Sequence, residues 1–378
     1  MTVILLAASS APSPLYPLYQ AEFGFSSFTL TTVFAVYVLA LLLSLLTTGQ
    51  LSDILGRRPV LAGSLALETG AMLAFLVADG VGWLLAARLL QGVATGAALG
   101  VLGAYLLDLA PSAESRLGSL VNSAASTGGL GVGAIGTGLL LRFAPYPTRL
   151  VFVVLSVLFA LLVLVVPALP ETVDRAPGAL ASLRPKIAVP DSARRAFAVA
   201  TPSFVATWAL GGLILSIGGS LVGSVFGQHN EAVIGVLLSV FSLAATLVAV
   251  LLSNVDPGAA ARLGSAALVL GTALFVTALL DSGLWLLIVA LVVAGGGFGL
   301  SFVGALRSIT RLARPRERAA LLSAVYGICY LAFSVPALIA GLLIARLGLR
   351  DTVLYYGALV GLLALAGLAA SLRPGRAE

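Results

Sequence analysis

The sequence predicts an all-α membrane protein of twelve transmembrane helices. Of its 378 residues, 60% are hydrophobic and only 10% are charged, whereas a soluble domain carries about 25% charged residues. The mean hydropathy is +1.11. Most apolar residues fall in uninterrupted stretches of about 20 residues, the length that a helix needs to cross roughly 30 Å of hydrocarbon. Lipid is therefore the expected solvent.

The apolar stretches divide the chain into two groups of six. We predict helices 1 to 12, in chain order, at 2–19, 27–48, 59–78, 83–107, 117–140, 150–169, 196–218, 232–253, 263–280, 284–307, 319–345 and 352–372. The longest polar interval, 170–195, contains five prolines or glycines and is expected to be a linker. The predicted organisation is a first half at 1–169, a central cytoplasmic linker at 170–195 and a second half at 196–378.

The first predicted helix starts at Met1 without a polar lead and carries Pro12, Pro14 and Pro17. A secretory signal peptide is the competing interpretation, but a basic segment before the apolar run is missing. Removal of such a peptide would also leave an odd number of helices. We expect instead that a short N-terminal stretch precedes Met1 in the native protein.

The basic residues predict the orientation, because cytoplasmic loops retain lysine and arginine. With the central linker inside, sixteen basic residues lie on that side, and only Arg142, Arg149, Arg346 and Arg350 lie outside. Both termini are therefore predicted to be cytoplasmic. Arginine outnumbers lysine twenty to one, which indicates a GC-rich bacterial genome and hence the bacterial inner membrane.

Several functional classes are excluded by composition. A single cysteine, Cys329, and a single histidine, His229, exclude a disulfide framework, Cys/His metal sites and nearly all Cys/His catalytic pairs. The net charge of +6 does not indicate nucleic acid binding, because the basic residues lie in short loops. We expect a small-molecule substrate, a lipid bilayer environment, no nucleic acid, no cofactor other than a proton gradient, and a monomer.

The two groups of helices resemble each other at an offset of about 203 residues. Asp53 in the loop after helix 2 matches Asp256 in the loop after helix 8. Gly92 and Gly96 match Gly295 and Gly299, and the loop 111–116 matches 315–318. These matches predict a parallel internal repeat of six helices.

A compact charged loop, Gly49-Gln50-Leu51-Ser52-Asp53-Ile54-Leu55-Gly56-Arg57-Arg58, joins helices 2 and 3. A generic tight turn needs only the glycines and one basic residue. Here Asp53 lies between two glycines and is followed by two arginines, which favours a specific ion pair held close to the backbone. Asp53 is expected to pair with Arg57 and to face the positive end of a helix.

This loop resembles the signature loop of the major facilitator superfamily, whose pattern is glycine, any residue, leucine, small, aspartate, two variable residues, glycine, arginine and a basic residue. All of these positions are met. In that family the loop connects helices 2 and 3 and latches the two halves together on the cytoplasmic side when the transporter is open outward. The implied cytoplasmic gate comprises Gly49, Asp53, Gly56, Arg57 and Arg58.

Asp108, Glu114 and Arg116 occupy the next cytoplasmic turn. Asp108 and Arg116 are predicted to join the gate as part of one charge network with Asp53 and Arg57. Solvated loop charges with no role in gating are an equally open interpretation.

A polar stripe is predicted on helix 4, where Arg88, Gln91 and Thr95 are spaced i, i+3 and i+7. An arginine within the membrane costs at least ~2.5 kcal/mol on insertion scales, so it usually faces the bundle interior or water. The alternative is that Arg88 extends to the outer interface near Trp83. The segment resembles the helix-4 motif of the family, which implies that Arg88 participates in proton coupling.

Glu68 lies near the middle of helix 3 with no obvious partner on its own helix. Desolvation favours the neutral form of such a carboxyl. It is predicted either to bind a transported proton or to donate a hydrogen bond to a neighbouring helix.

Helix 5 contains the glycine-rich segment 128–138, which is similar to a motif of proton-driven exporters in the same family. That motif places a proline directly after the glycine aligned with Gly133, whereas this chain has Ala134. The departure weakens the exporter interpretation. A seam of small residues for close helix packing is the other interpretation.

Polar and aromatic stripes on several helices predict a central substrate cavity. Its predicted lining residues are Tyr16, Gln20, Gln91, Thr95, Asn122, Ser126, Ser203, Thr207, Trp208, Tyr326 and Tyr330. A cavity with few fixed charges suits neutral, amphipathic or weakly basic solutes. Packing between helices is the alternative role for these side chains.

The leading functional hypothesis is a proton-coupled exporter that rocks two six-helix halves about a midplane site. An importer or facilitator of a sugar, metabolite or chelate is the nearest rival. A membrane-embedded enzyme or a non-transporting sensor is the remote alternative, because no catalytic cluster or nucleotide-binding loop supports it.

Overall fold

The fold is described from a computed structural model that covers residues 1–49, 51–109, 116–174, 185, 187–314 and 316–372, with side chains omitted at 107 and 116–123. Every regular element in these ranges is helical. The predictions for Gln50, Glu114, the side chains of Arg116 and Asn122, and most of the central linker lie outside this described part of the chain.

Helix 1 runs from Thr2 to Phe23 in three pieces, Thr2–Ser10, Ser13–Leu15 and Tyr16–Phe23. Helices 2 to 6 are Ser27–Thr48, Arg57–Leu76, Val81–Asp108, Arg116–Phe143 and Pro147–Val165. Helices 7 to 12 are Arg194–Phe226, Glu231–Leu251, Pro257–Asp281, Leu284–Thr310, Arg318–Leu347 and Leu349–Leu372. Short helical turns at Ser52–Leu55, Val166–Ala168 and Asp191–Ala193 lie in the connections.

Helices 2 to 12 account for eleven helices in the described ranges that are long and apolar enough to cross a membrane. Helix 1 was predicted as one span at 2–19, and this prediction is wrong in detail. Prolines lack a backbone N–H and clash with the preceding turn. Around Pro12 and Pro14 the helix accordingly tightens to a 3-10 turn, although Ala11 and Leu15 keep right-handed helical dihedrals. The path then continues to Gly24, whose φ of 65° ends it.

The helix pairings repeat after six helices. Helix 4 packs on helices 2 and 3, helix 3 on helix 6, and helix 1 on helix 5. Helix 10 likewise packs on helices 8 and 9, helix 9 on helix 12, and helix 7 on helix 11. The contacts between the first six helices and the last six follow the same shift of six, because helix 5 packs on helix 8 and, correspondingly, helix 11 packs on helix 2. This arrangement is the one expected from a parallel six-helix repeat.

The matched glycines perform the same packing task in both repeats. A Cβ at Gly92 or Gly96 of helix 4 would clash with backbone carbonyls of helix 2. A Cβ at Gly295 or Gly299 of helix 10 would clash with the corresponding carbonyls of helix 8. Small residues permit this close approach of helix backbones. Asp256 differs from the matched Asp53, because the Asp256 side chain caps helix 9 by accepting from the Ala259 N–H at 3.0 Å.

The bundle has two ends, which we call the loop end, where Gly49–Arg58 lies, and the far end, where Gly24 lies. At the far end the two groups of helices are in tight contact. A Cβ at Gly138 of helix 5 would lie 2.8 Å from the Gly235 Cα of helix 8, and one at Gly341 of helix 11 would lie 3.0 Å from the Ser27 carbonyl oxygen at the start of helix 2. Helix 1 also contacts helix 7. The structure is therefore closed at the far end.

Candidate functional site

Arg57 is the centre of the charged loop. It begins helix 3 directly after Gly56, whose φ of 96° is open to few residues other than glycine. The Arg57 residue is 6% exposed. It pairs with Asp53, donates to Ser52 Oγ at 2.6 Å and pairs with Asp108 at the end of helix 4 through Nε at 3.1 Å. The loop thus bridges helices 3 and 4 through a nearly buried charge.

Glu171, which was not among the residues predicted from the sequence, caps the start of helix 3. Its two carboxylate oxygens accept from the Arg57 and Arg58 N–H groups at 2.8 and 3.1 Å. A carboxylate at this position satisfies free N–H donors and interacts favourably with the positive end of the helix. A Cβ at Gly56 would lie 2.8 Å from the same carboxylate. The adjacent Thr172 hydroxyl donates to Asp108 at 2.7 Å, so the segment after helix 6 belongs to the loop network.

The other predicted gate residues occupy less specific positions. Gly49 follows helix 2, and a Cβ at Gly100 of helix 4 would lie 3.6 Å from its Cα. The Arg58 guanidinium donates to the Pro167 carbonyl. The contacts described here for Arg57 and Arg58 all lie within the first six helices and the start of the linker.

We expect Asp53→Asn to reduce transport strongly while membrane insertion and folding persist. The Asp53 side chain is 52% exposed, so the loss of its pair with Arg57 should cost less than about 1 kcal/mol of stability. Transport in vesicles and the thermal unfolding of purified protein measure the two effects. Asp191→Asn is the matched control, since Asp191 forms an exposed i, i+3 pair with Arg194. Equal transport by both variants would contradict a gating role.

Arg88 lies in a fully buried polar cluster between helices 1, 3 and 4. Its guanidinium is 0% exposed, so it does not extend to the lipid interface. It donates to the Ser9 carbonyl at 2.9 Å, to Gln91 Oε1 at 2.7 Å and to the Tyr16 hydroxyl. It also lies 5.0 Å from the centroid of the Tyr37 ring, a contact that favours a cation.

Glu68 joins this cluster from helix 3. Its carboxyl oxygens lie 3.4 Å from Gln91 Nε2 and from Thr95 Oγ1, and Glu68 is 0% exposed. Gln91 therefore contacts both Glu68 and Arg88. Among the described residues, Arg88 and Glu68 form no direct ion pair. The Gln91 amide side chain therefore lies between the buried Glu68 carboxyl and the buried Arg88 guanidinium.

The structure places the predicted cavity residues in three different environments. Tyr16, Gln91 and Thr95 belong to the buried cluster. Ser203 and Thr207 are also buried, with Ser203 3.1 Å from Ser265 Oγ and Thr207 donating to backbone carbonyls of its own helix. In this conformation these five residues pack between helices and line no open cavity.

The remaining cavity predictions lie at partly exposed positions. Gln20 accepts from Ser220 at 2.9 Å, a contact between helices 1 and 7 at the closed far end. Ser126, Trp208, Tyr326 and Tyr330 are half-buried. The last three belong to an aromatic cluster on helices 7, 10 and 11.

Trp208 is the centre of that aromatic cluster. Its ring centroid lies 5.0 Å from that of Tyr330 and 5.6 Å from those of Phe302 and Phe333. Tyr326 is in ring contact with Tyr330 at 6.2 Å. Phe302 and Phe333 could not be identified from the sequence, because a phenylalanine in an apolar helix carries no signal that distinguishes it from a lipid-facing one.

An apolar groove of about 280 Å³ lies between helices 3 and 4 near the loop end. Its lining includes Leu55, Pro59, Leu67 and Val93. The Ser64 hydroxyl, a polar group of the lining, donates to the carbonyl of Val60 on its own helix. Among the described residues, the groove therefore offers mainly apolar packing.

A sequence profile of the Major Facilitator Superfamily matches residues 1–255. The chain belongs to the major facilitator superfamily. This membership confirms the fold class and the resemblance carried by the loop Gly49–Arg58, and it identifies the protein as a multi-pass membrane transporter. The roles predicted for individual residues remain predictions.

Individual relatives are distant. An MFS-type transporter, paaT of Penicillium rubens, is 32% identical over 114 residues, which are 30% of this chain and 21% of that protein. The chain thus matches about a fifth of the length of this curated relative. The similarity is sufficient to support membership of the family but not a shared substrate.

Solved structures agree over nearly the whole chain. A crystal structure of a mutant of the nucleoside transporter NupG has a TM-score of 0.72 at 15% identity and covers 98% of both chains. The human organic anion transporter MFSD10 has a TM-score of 0.65 at 19% identity, with 97% of this chain and 96% of that chain covered. At these identities the similarity shows the fold.

Proposed function

We propose that this transporter exports small neutral or amphipathic solutes from a bacterial cell in exchange for protons, by alternating access across the inner membrane. The observation that carries the proposal is the buried cluster in which Glu68 and Arg88 both contact Gln91. On this proposal the loop end faces the cytoplasm, as its arginines indicate, and the closed far end faces the opposite side of the membrane.

The cluster supplies a physical basis for proton coupling. An ionised Glu68 and Arg88 have zero net charge together, and a proton on Glu68 leaves a net charge of one inside the bundle. A net charge is costly to bury, so protonation changes the relative free energies of conformations that hydrate the cluster differently. A proton that binds one conformation more tightly shifts the equilibrium toward it.

Helix 1 connects this cluster to the contact between the two groups of helices. The Ala8 and Ser9 carbonyls accept from Gln91 and Arg88 at 2.9 Å. Farther along the same helix, Gln20 contacts Ser220 of helix 7. Opening of the far end must break that contact, so a movement of helix 1 would alter the cluster.

The export direction is supported by the resemblance of the glycine-rich segment of helix 5 to exporters of the family. That segment packs on helix 8, where Gly138 meets Gly235. Ala134 departs from the exporter pattern, and import or facilitated diffusion of a sugar, metabolite or chelate is the competing function.

The direction of proton movement separates these functions. Proteoliposomes that contain a trapped pH-sensitive dye and no initial gradient would be exposed to a panel of solutes. Solute entry makes the lumen alkaline for antiport and acidic for symport. A facilitator admits the solute and leaves the lumenal pH unchanged, which would overturn the proposed coupling.

We expect Glu68→Gln to abolish solute-driven proton movement and to preserve solute binding. Glutamine retains the size and hydrogen-bonding capacity of a carboxyl, but it does not ionise and so cannot bind and release the transported proton. The trapped pH-sensitive dye reports proton flux, and equilibrium dialysis reports binding. Asp281→Asn is the control, because Asp281 is an exposed carboxylate at the end of helix 9. Wild-type proton flux in Glu68→Gln would exclude Glu68 as the coupling group.

A further inference from the structure

The aromatic cluster on helices 7, 10 and 11 contains polar atoms that have no partner. Trp208 Nε1 is buried and makes no hydrogen bond. Among the described residues, the hydroxyls of Tyr326 and Tyr330 also make none. A buried N–H without an acceptor is destabilising. Such a donor therefore indicates a missing partner when it lies in a half-buried aromatic surface.

No charged side chain is in ring contact with this surface in the described part of the chain. The only cation found over aromatic rings there is Arg88, which lies over Tyr16, Tyr37 and Phe75 in the separate cluster of helices 1, 3 and 4. An anionic ligand on the aromatic surface would have no adjacent cation to compensate for its desolvation, and a cationic ligand would leave the Trp208 N–H without an acceptor.

We propose that Trp208, Phe302, Tyr326 and Tyr330 form a binding surface for a neutral, planar aromatic solute that carries a hydrogen-bond acceptor. The solute ring packs against these side chains in offset or edge-to-face geometry. Its acceptor receives the Trp208 indole N–H, which is buried in this conformation and is exposed by a side-chain movement when the solute binds. The inference rests on the proposed transport function and specifies the substrate class of its central site.

Three planar probes of nearly equal shape test each part of this assignment. Quinoline is neutral at neutral pH and has a ring-nitrogen acceptor, naphthalene lacks the acceptor, and N-methylquinolinium carries a fixed positive charge. Binding to the purified full chain in lipid nanodiscs is measured by equilibrium dialysis without a proton gradient. We expect quinoline to bind about tenfold more tightly than naphthalene, the ratio that one hydrogen bond supplies, and N-methylquinolinium to bind more weakly than quinoline.

Two substitutions separate the ring from its N–H group. Trp208→Phe keeps a ring and should abolish the preference for quinoline over naphthalene. Trp208→Leu should weaken both neutral probes about tenfold or more, because it also removes stacking. Trp285→Phe is the matched control, since Trp285 is 81% exposed at the start of helix 10, and it should leave binding unchanged. If Trp208→Leu does not fold, the loss of the preference for quinoline in Trp208→Phe still tests the assignment.

Equal quinoline affinity in Trp208→Phe and Trp285→Phe, or tighter binding of N-methylquinolinium than of quinoline, would overturn the assignment. These outcomes are distinct from a failure of the transport proposal. Trp208-dependent binding without solute-driven proton flux leaves the aromatic site in place and removes proton exchange. Proton flux driven by other solutes, with no Trp208-dependent binding of quinoline, removes the aromatic site and leaves proton exchange in place.

Discussion

Replacement of Arg88 by lysine is expected to abolish transport although the positive charge is retained. The arginine fork reaches Ser9, Tyr16 and Gln91 at the same time, and its plane lies over aromatic rings. A lysine ammonium is a compact, strongly hydrated charge and cannot reproduce this planar set of donors. At least one of the buried acceptors would lose its partner.

The expected loss of stability is about 3 kcal/mol, the scale for breaking a buried charged network. Transport should fall by at least about 100-fold, since Gln91, which joins Arg88 to Glu68, would lose its guanidinium donor. Vesicle transport and thermal unfolding measure the two effects. Arg346→Lys is the control, because Arg346 is exposed near the end of helix 11. Near-normal transport by Arg88→Lys would mean that charge alone is required.

The helices could be predicted from the sequence because the bilayer imposes one length and one polarity on each of them. Helix 2 begins and ends where predicted, at Ser27 and Thr48. Helix 7 extends beyond its predicted end at 218 to Phe226, because hydropathy detects the hydrocarbon thickness and not the helical turns that project past it. The break in helix 1 depends on how neighbouring helices accommodate its prolines, which a single helix does not reveal.

The buried cluster could be predicted only in part. The spacing of Arg88, Gln91 and Thr95 placed them on one face of helix 4, because helical periodicity relates residues of the same helix. The partners on helices 1 and 3 depend on tertiary packing. Glu171 escaped detection for the same reason, since it lies more than 100 residues from the N–H groups that it caps.

The cavity-lining role of the predicted serine and threonine residues stays a prediction, because the sequence does not distinguish it from helix packing. Serine and threonine in apolar helices were interpreted as cavity-lining residues, but their hydroxyls commonly bond to carbonyls one turn back on the same helix. Thr207 does so at 2.8 Å with Ser203. Such residues are small and self-satisfied, so they suit helix contacts as well as cavities. Aromatic residues with unpaired polar atoms were the more informative signal, and that signal requires coordinates.

Gly138→Leu is expected to hold the transporter open at the far end. Helices 5 and 8 meet there, and a Cβ at Gly138 would lie 2.7 Å from the Glu231 carbonyl oxygen and 2.8 Å from the Gly235 Cα. These are backbone atoms, which cannot rotate away as a side chain does. The closed far end therefore becomes strained, whereas a conformation with these helices apart accepts the leucine.

Overpacking of a close contact costs about 1–3 kcal/mol, which corresponds to a shift of roughly 5- to 150-fold between the two conformations. A reporter cysteine measures the shift. Tyr326→Cys in a Cys329→Ser background places a thiol at a half-buried position on helix 11. Membrane-impermeant reagents added to right-side-out or inside-out vesicles then report its exposure to each side. In Gly138→Leu, labelling from the loop side should fall and labelling from the far side should rise.

Gly136→Leu separates this steric effect from a general disturbance of helix 5. Gly136 lies two residues away on the same helix, and a Cβ there meets no atom within 4 Å. It adds the same side chain to the same glycine-rich segment without entering the contact with helix 8. If both variants shift the labelling equally, helix 5 is sensitive to any loss of glycine. If only Gly138→Leu shifts it, the close approach of Gly138 and Gly235 closes the far end, and the glycine-rich segment gates access to the site.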